Sequence, residues 1–259
     1  MFKYSSDSHL NDSSDMRQIV ISTILSFISL SASGAGDSLC VAGIGQGADL
    51  SSFVWQTDDP TFRPDSLLEF FRAEPLSDAT FSRMQGRSYP QGCLIRRSEL
   101  RYLILPHYDG HGHVRVGEMV CNRAIADDLV AVFRQLYLEL YPIERMVLID
   151  EYDGDDEASM RDNNTSCFNY RTIGSSRRLS RHAYGMAVDI NPLYNPYVRT
   201  IGGRTLVTPE GAEPYADRSR NDIPYKITLN DRAYRLLRAR GFPWGGSWRT
   251  RKDYQHFQK

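Results

Sequence analysis

Long apolar runs are scarce in this chain. Past residue 35 no segment offers about 18 consecutive apolar residues, so an ordinary helical membrane span is not expected there. No two cysteines stand at CxxC or CxC spacing, which removes a cysteine-only zinc site. The GxSxG elbow of a serine hydrolase is missing. Neither charge sign dominates: 31 Lys and Arg face 32 Asp and Glu, for a net charge of −1. A phosphate-binding surface for nucleic acid is therefore not expected. Internal repeats and low-complexity tracts are also lacking. Histidine is rare, with six in 259 residues: His9, His107, His111, His113, His182 and His256.

Apolar residues make up 41% of the chain and charged residues 24%. That is enough to bury a core, as one domain or one domain with extensions. The first part stands apart. Met1 to Asp15 is polar and acidic, Arg17 adds a positive charge, and Ile19 to Leu30 is apolar apart from hydroxyl residues. "SASGAG" then offers small residues, with a cleavage point after Ala35. This is the layout of a signal peptide, with translation starting at Met1 or at Met16, and it implies export. An amphipathic N-terminal helix is the alternative. Four cysteines, Cys40, Cys93, Cys121 and Cys167, permit two disulfides or four free thiols.

Three regions are expected: 1–35 as extension and signal peptide, 36–92 as an N-terminal segment without clear periodicity, and 93–259 as the main domain. "SLLEFFRAE" reads as a short helix. "ELRYLILPHYD" (99–109) and "HVRVGEMVC" (113–121) read as two strands of a hairpin around "GHG". Ile125, Leu129, Val132, Phe133, Leu136 and Leu140 recur at helical spacing, with Asn122 as N-cap and Pro142 as stop. "ERMVLIDEYD" and the stretch around Ala187 read as strands. "TLNDRAYRLLRARGF" reads as a second helix opening near Asn230, and Gly202–Gly203 marks a hairpin. The sum is an α+β fold with an antiparallel central sheet flanked by helices.

"SRHAYGMAVDINPLYNP" (180–196) places His182, Gly185 and Asp189 in an apolar setting. Residues seven apart on one strand face opposite ways, so His182 and Asp189 meet at one ion only if the chain bends. Gly185 is where it can bend. Near the C-terminal end, Asp253 and His256 follow a glycine-rich "WGGSW". Two histidines and one carboxylate, His182, Asp189 and His256, would hold zinc with one position open, the arrangement of a catalytic site. Asp253 would then be the general base. The competing reading is a core histidine with a turn carboxylate.

The pattern S-x-H-x-x-G-x-A-x-D (Ser180 to Asp189), with acid-x-x-His (Asp253, His256) downstream, resembles the zinc D-Ala-D-Ala peptidases. That family covers VanY-like carboxypeptidases, VanX-like dipeptidases and L-alanyl-D-glutamate endopeptidases. "NNTSCFNYR", "DINPLYNPYV" and "WGGSWRTRKDYQHF" add to the likeness, which spans roughly Glu99 to Phe257. The resemblance implies a hedgehog/DD-peptidase-like fold, one Zn2+, and peptidoglycan stem peptides as substrate. It implies His182, Asp189 and His256 as ligands, and Asp253 as acid/base where many relatives carry Glu. Arg171, in "FNYR", would face the substrate carbonyl. Ser180, Tyr184 and Trp248 would brace the ligands or touch substrate. A non-catalytic zinc module that binds the cell wall is the second reading. "HYDGHGH" (107–113) is a rival metal site or a solvated hairpin, and Arg171, Arg177, Arg178 and Arg181 are either surface or carboxylate-binding.

Overall fold

The hairpin expected around "GHG" forms the middle of the largest sheet. β3 (Leu100–Tyr108) and β4 (His113–Asn122) pair antiparallel from Leu100 opposite Asn122 to Tyr108 opposite Val114. Asp109 closes the turn. Its buried carboxylate accepts the backbone N–H groups of His111 and His113 and the side chains of His113 and Arg115. β1 (Val54–Gln56) pairs with β4 and β2 (Arg72–Pro75) with β3, giving the order β1-β4-β3-β2. A boundary between residues 92 and 93 would therefore run through one hydrogen-bonded sheet. This computed structural model describes residues 54–56, 64–174 and 176–259. The signal-peptide reading, His9 and Cys40 lie outside the described residues.

The "SLLEFFRAE" segment is split: a 3-10 turn over Pro64–Phe70, then β2. A short helix, α1 (Asp78–Met84), follows, capped by the Ser77 hydroxyl on Thr80 N–H. Helix α2 (Ala126–Leu138) covers β3 with Leu129, Val132, Phe133, Leu136 and Tyr137 buried. Each such side chain removed from water contributes about 1.5–3 kcal/mol. Asn122 does not cap α2. Its Oδ1 accepts Ala124 N–H, forming a turn before a helix that opens after Ile125.

"ERMVLIDEYD" is not a strand. The Asn164 side chain binds both the N–H and the C=O of Val147, taking the backbone groups a neighbouring strand would need. The segment continues as a 3-10 turn, Ile149–Tyr152, then α3 (Asp156–Arg161), capped by Asp155. The stretch from Ser180 is a strand only at β5 (Ala187–Asp189); His182–Tyr184 is a 3-10 turn.

Two small antiparallel sheets follow. β6 (Tyr197–Ile201) and β7 (Arg204–Thr208) form the expected hairpin, with Gly202 and Gly203 both at positive φ, as a tight primed turn requires. β8 (Lys252–Asp253) pairs with β6, and β9 (His256–Gln258) pairs with β5. Helix α4 (Arg232–Ala239) is capped by Asp231 rather than Asn230. The fold is α+β with antiparallel sheets. The candidate site lies on the two small sheets, not on the four-stranded one. Among the described residues no helix is long and apolar enough to cross a membrane.

Candidate metal centre

Sheet register brings the first two candidate ligands together. Asp189 on β5 lies opposite His256 on β9, and the Asp189 Oδ1 to His256 Nδ1 distance is 2.9 Å. His182 arrives by another route. The turn at His182–Tyr184 ends in Gly185 at φ 63°, and β5 starts two residues later. A Cβ at Gly185 would sit 2.6 Å from the backbone N of Asn122, so the bend needs glycine for both conformation and space. His182 Nε2 then lies 3.1 Å from His256 Nδ1 and 3.2 Å from Asp189 Oδ2. All three residues are buried.

Neighbouring groups set both imidazoles. His182 Nδ1–H donates to the Cys167 carbonyl at 2.7 Å, leaving Nε2 as the inward lone pair. Cys167 is placed by a two-way backbone bridge between Ser166 and Asp189. His256 Nε2–H donates to Gln258 Oε1 at 3.1 Å, leaving Nδ1 inward. Such outer partners fix tautomer and ring orientation in metal sites. Two lone pairs and a carboxylate converging without a cation repel one another. Without an ion, a proton on His256 relieves this. Burial opposes its charge, yet Asp189 and then Asp253 raise its pKa to about 9. Burial would likewise raise Asp189, but His182 and His256 hold it well below the usual carboxylate range. The donor atoms all lie within 4.8 Å of one another. A tetrahedral ion with bonds of about 2.0–2.2 Å spaces its ligands by roughly 3.3–3.5 Å, so a small inward ion fits after slight spreading. Among the described residues this is the one group of His, Cys, Asp or Glu so arranged.

The rival "HYDGHGH" does not converge. His107 is buried in β3 and its pKa is lowered by burial to about 4. His111 faces Glu144 and His113 faces Asp109. Of the cysteines, Cys93, Cys121 and Cys167 are free thiols.

The ligand group lies in a cleft of about 1060 Å³. Asp253, Arg171, Ser180 and Trp248 also line it; Tyr184 does not. Tyr184 is exposed, and its backbone carbonyl accepts the Asn122 side chain. Ser180 accepts the His182 N–H with its hydroxyl, bracing the turn. The Trp248 ring packs 5.4 Å from that of His256.

Asp253 is placed by β8, where it pairs with Tyr197, and by Gly245. A Cβ at Gly245 would meet Asp253 Cβ at 2.7 Å, so the "WGGSW" approach is what lets this strand come close. Asp253 Oδ1 is shut off from solvent and has no partner. Burial, with Asp189 adding, raises its pKa to about 6 against the pull of His256, His182 and Arg171. Arg171 donates from Nη2 to Asp156 Oδ2 at 2.7 Å, while its buried Nε–H has no partner. Asp156, the first residue of α3, thus joins the cleft lining.

Sequence reasoning missed Gln255. It is buried, lines the cleft, and its Oε1 has no partner. An unsatisfied buried acceptor costs about 1–3 kcal/mol, so cleft orphans such as this are places for ligand hydrogen bonds. Its position between Asp253 and His256 in "DYQHF" was the available signal.

Residues 174–259 match the family model described as D-alanyl-D-alanine carboxypeptidase. This segment contains all three candidate ligands and Asp253, and excludes Arg171. The match supports the zinc DD-carboxypeptidase, VanY-like family that the motifs resemble, and with it a peptidase. No curated protein and no solved structure gives a significant match.

Proposed function

We propose that the chain is a zinc-dependent peptidase that hydrolyses amide bonds of peptidoglycan stem peptides outside the cytoplasm. The bond is either a terminal D-Ala-D-Ala or an L-Ala-D-Glu linkage. The observation that carries the reading is Asp253, whose desolvated, unpartnered carboxylate oxygen lines the same cleft as three convergent ligand atoms. A cell-wall-binding module gains nothing from a desolvated acid, which costs free energy until it has a partner.

His182 Nε2, Asp189 and His256 Nδ1 would hold the ion. When bound, zinc supplies Lewis acidity toward the scissile carbonyl and an attacking water. Asp253 takes the water's proton and returns it to the leaving amine. Burial raises its pKa to about 6 in the metal-free protein, and a bound cation would pull it back toward the ionised form that a base needs. Asp156 grips one end of Arg171, so the Nε–H is left to donate to the carbonyl oxygen as negative charge develops. The Cys167 carbonyl and Gln258 keep the imidazoles aimed inward. Ser180 braces the His182 turn, and Trp248 walls the cleft beside His256.

The test is Asp253→Ala assayed on purified peptidoglycan, with bound metal measured in parallel. Zinc content should persist while hydrolysis falls about 10²–10⁴-fold, the usual contribution of a general acid–base group. Unchanged cleavage by this variant would sink the mechanism. Loss of zinc together with activity would instead move Asp253 into the ligand set.

A further inference from the structure

The chain as a whole is close to neutral, yet its cleft is not. Six arginines line it, Arg171, Arg178, Arg181, Arg199, Arg249 and Arg251, against three carboxylates, Asp156, Asp189 and Asp253. Asp156 is spent on Arg171, and Asp189 faces the two histidines. The other five arginines are exposed and have no ion-pair partner among the described residues. Arg251 only lies over the Trp248 ring, at 4.6 Å. Outside the cleft the picture is mixed: Arg83, Arg97, Arg115 and Arg232 each hold a carboxylate, whereas Arg101, Arg123, Arg134 and Arg235 show no ion pair among the described residues. What sets the cleft apart is that five unpaired guanidinium groups line one concave site, where a bound divalent cation would add to the same sign.

Three separate segments supply them. Arg178 and Arg181 come from the loop before His182. Arg199 is on β6, two residues from Tyr197 and therefore on the same face, and both line the cleft. Arg249 and Arg251 precede β8, the strand of Asp253. Guanidinium forks match carboxylates in geometry, and several spaced forks match several carboxylates.

We propose that this rim selects acidic peptides: substrates that carry free carboxylates beyond the scissile amide, in preference to the same peptides with those carboxyls converted to carboxamides. The inference rests on the peptidase reading and narrows its substrate. Each rim contact is exposed, so each carboxylate contributes roughly a two- to five-fold gain in affinity, and the gain shrinks as salt rises.

The experiment uses three synthetic stem peptides of one sequence, with two, one or no free side carboxylates. Their dissociation constants for zinc-loaded Asp253→Ala protein are measured by calorimetry at low and high ionic strength. Cleavage by the unmutated protein is followed separately. Binding should weaken stepwise as carboxylates are masked, and the steps should flatten in high salt. Arg178→Glu and Arg249→Glu should each reduce the preference at least several-fold without loss of bound zinc. Equal affinity for all three peptides at low salt overturns the rim, as does tighter binding of a phosphodiester oligomer than of the dicarboxylate peptide. Preferential binding with no cleavage of any peptide by the unmutated protein overturns the peptidase reading and leaves the rim standing. Cleavage without preference does the reverse.

Discussion

Asp189 and His256 stand directly opposite each other across the β5–β9 ladder, although 67 residues separate them in the chain. The pairing makes the distance between two candidate ligands a property of strand register. A slip of β9 by one residue would turn His256 to the other face of the sheet and leave Asp189 behind. The third candidate ligand, His182, depends on a left-handed glycine instead.

Two glycines near the site should therefore respond differently to alanine. At Gly245 the added methyl meets the Asp253 backbone oxygen at 2.6 Å and its Cβ at 2.7 Å, with His256 Cβ at 3.3 Å. Gly245→Ala should displace Asp253 more than the ligands and lower kcat at least tenfold while zinc remains bound. At Gly185 the obstacle is the β4 backbone and φ is 63°. Gly185→Ala should lower stability by about 2–4 kcal/mol and weaken zinc binding together with activity. Thermal melts, metal analysis and kinetics on both variants check this, and a fully active, stable Gly185→Ala protein would contradict the bend.

Zinc affinity should depend on pH through His256. In the metal-free protein its pKa lies at about 9, raised from 6.5 by Asp189 and Asp253 against the effect of burial. Below that pH an ion must displace a proton from Nδ1. Apparent affinity should then fall about tenfold for each pH unit between 8.5 and 6.5. Competition with a chelator at several pH values measures the slope. A flat profile would mean that the imidazole is already neutral in the metal-free state.

Asp253 carries a cost that removing its charge should relieve. Its carboxyl goes from 3.8 to about 6 on folding, mainly through burial, so the folded metal-free protein binds more protons than the unfolded chain between those values. Stability therefore declines as pH rises from about 4 to 6, and above that the ionised acid is a standing penalty. Asp253→Asn should stabilise the metal-free protein at pH 7.5 by about 1–2 kcal/mol while abolishing hydrolysis. Differential scanning calorimetry without metal provides the check. A lower melting temperature for the variant would count against a desolvated carboxylate at this position.

Local patterning made the β3–β4 hairpin, the apolar face of α2 and the Gly202–Gly203 turn legible in the sequence. Motif spacing singled out His182, Asp189, Asp253 and His256, which the fold brings to one cleft. The rest depended on partners distant in the chain. "ERMVLIDEYD" has a strand's composition, but the Asn164 side chain takes the Val147 backbone groups. Tyr184 sits inside the motif yet points away from the cleft lining, because the turn that aims His182 inward leaves it exposed. Gln255 had only its place in "DYQHF" to mark it, and the rim arginines Arg199, Arg249 and Arg251 came together only once β6, β8 and β9 were placed around the same cleft.

The long gap between Asp189 and His256 also has a temporal side. A growing chain holds an incomplete donor set until residue 256 has left the ribosome and β9 has found β5. An unfolded chain is equally incomplete, since the candidate ligands on β5 and β9 meet only across a folded ladder. On the proposed function, activity would thus begin with the closing of this ladder.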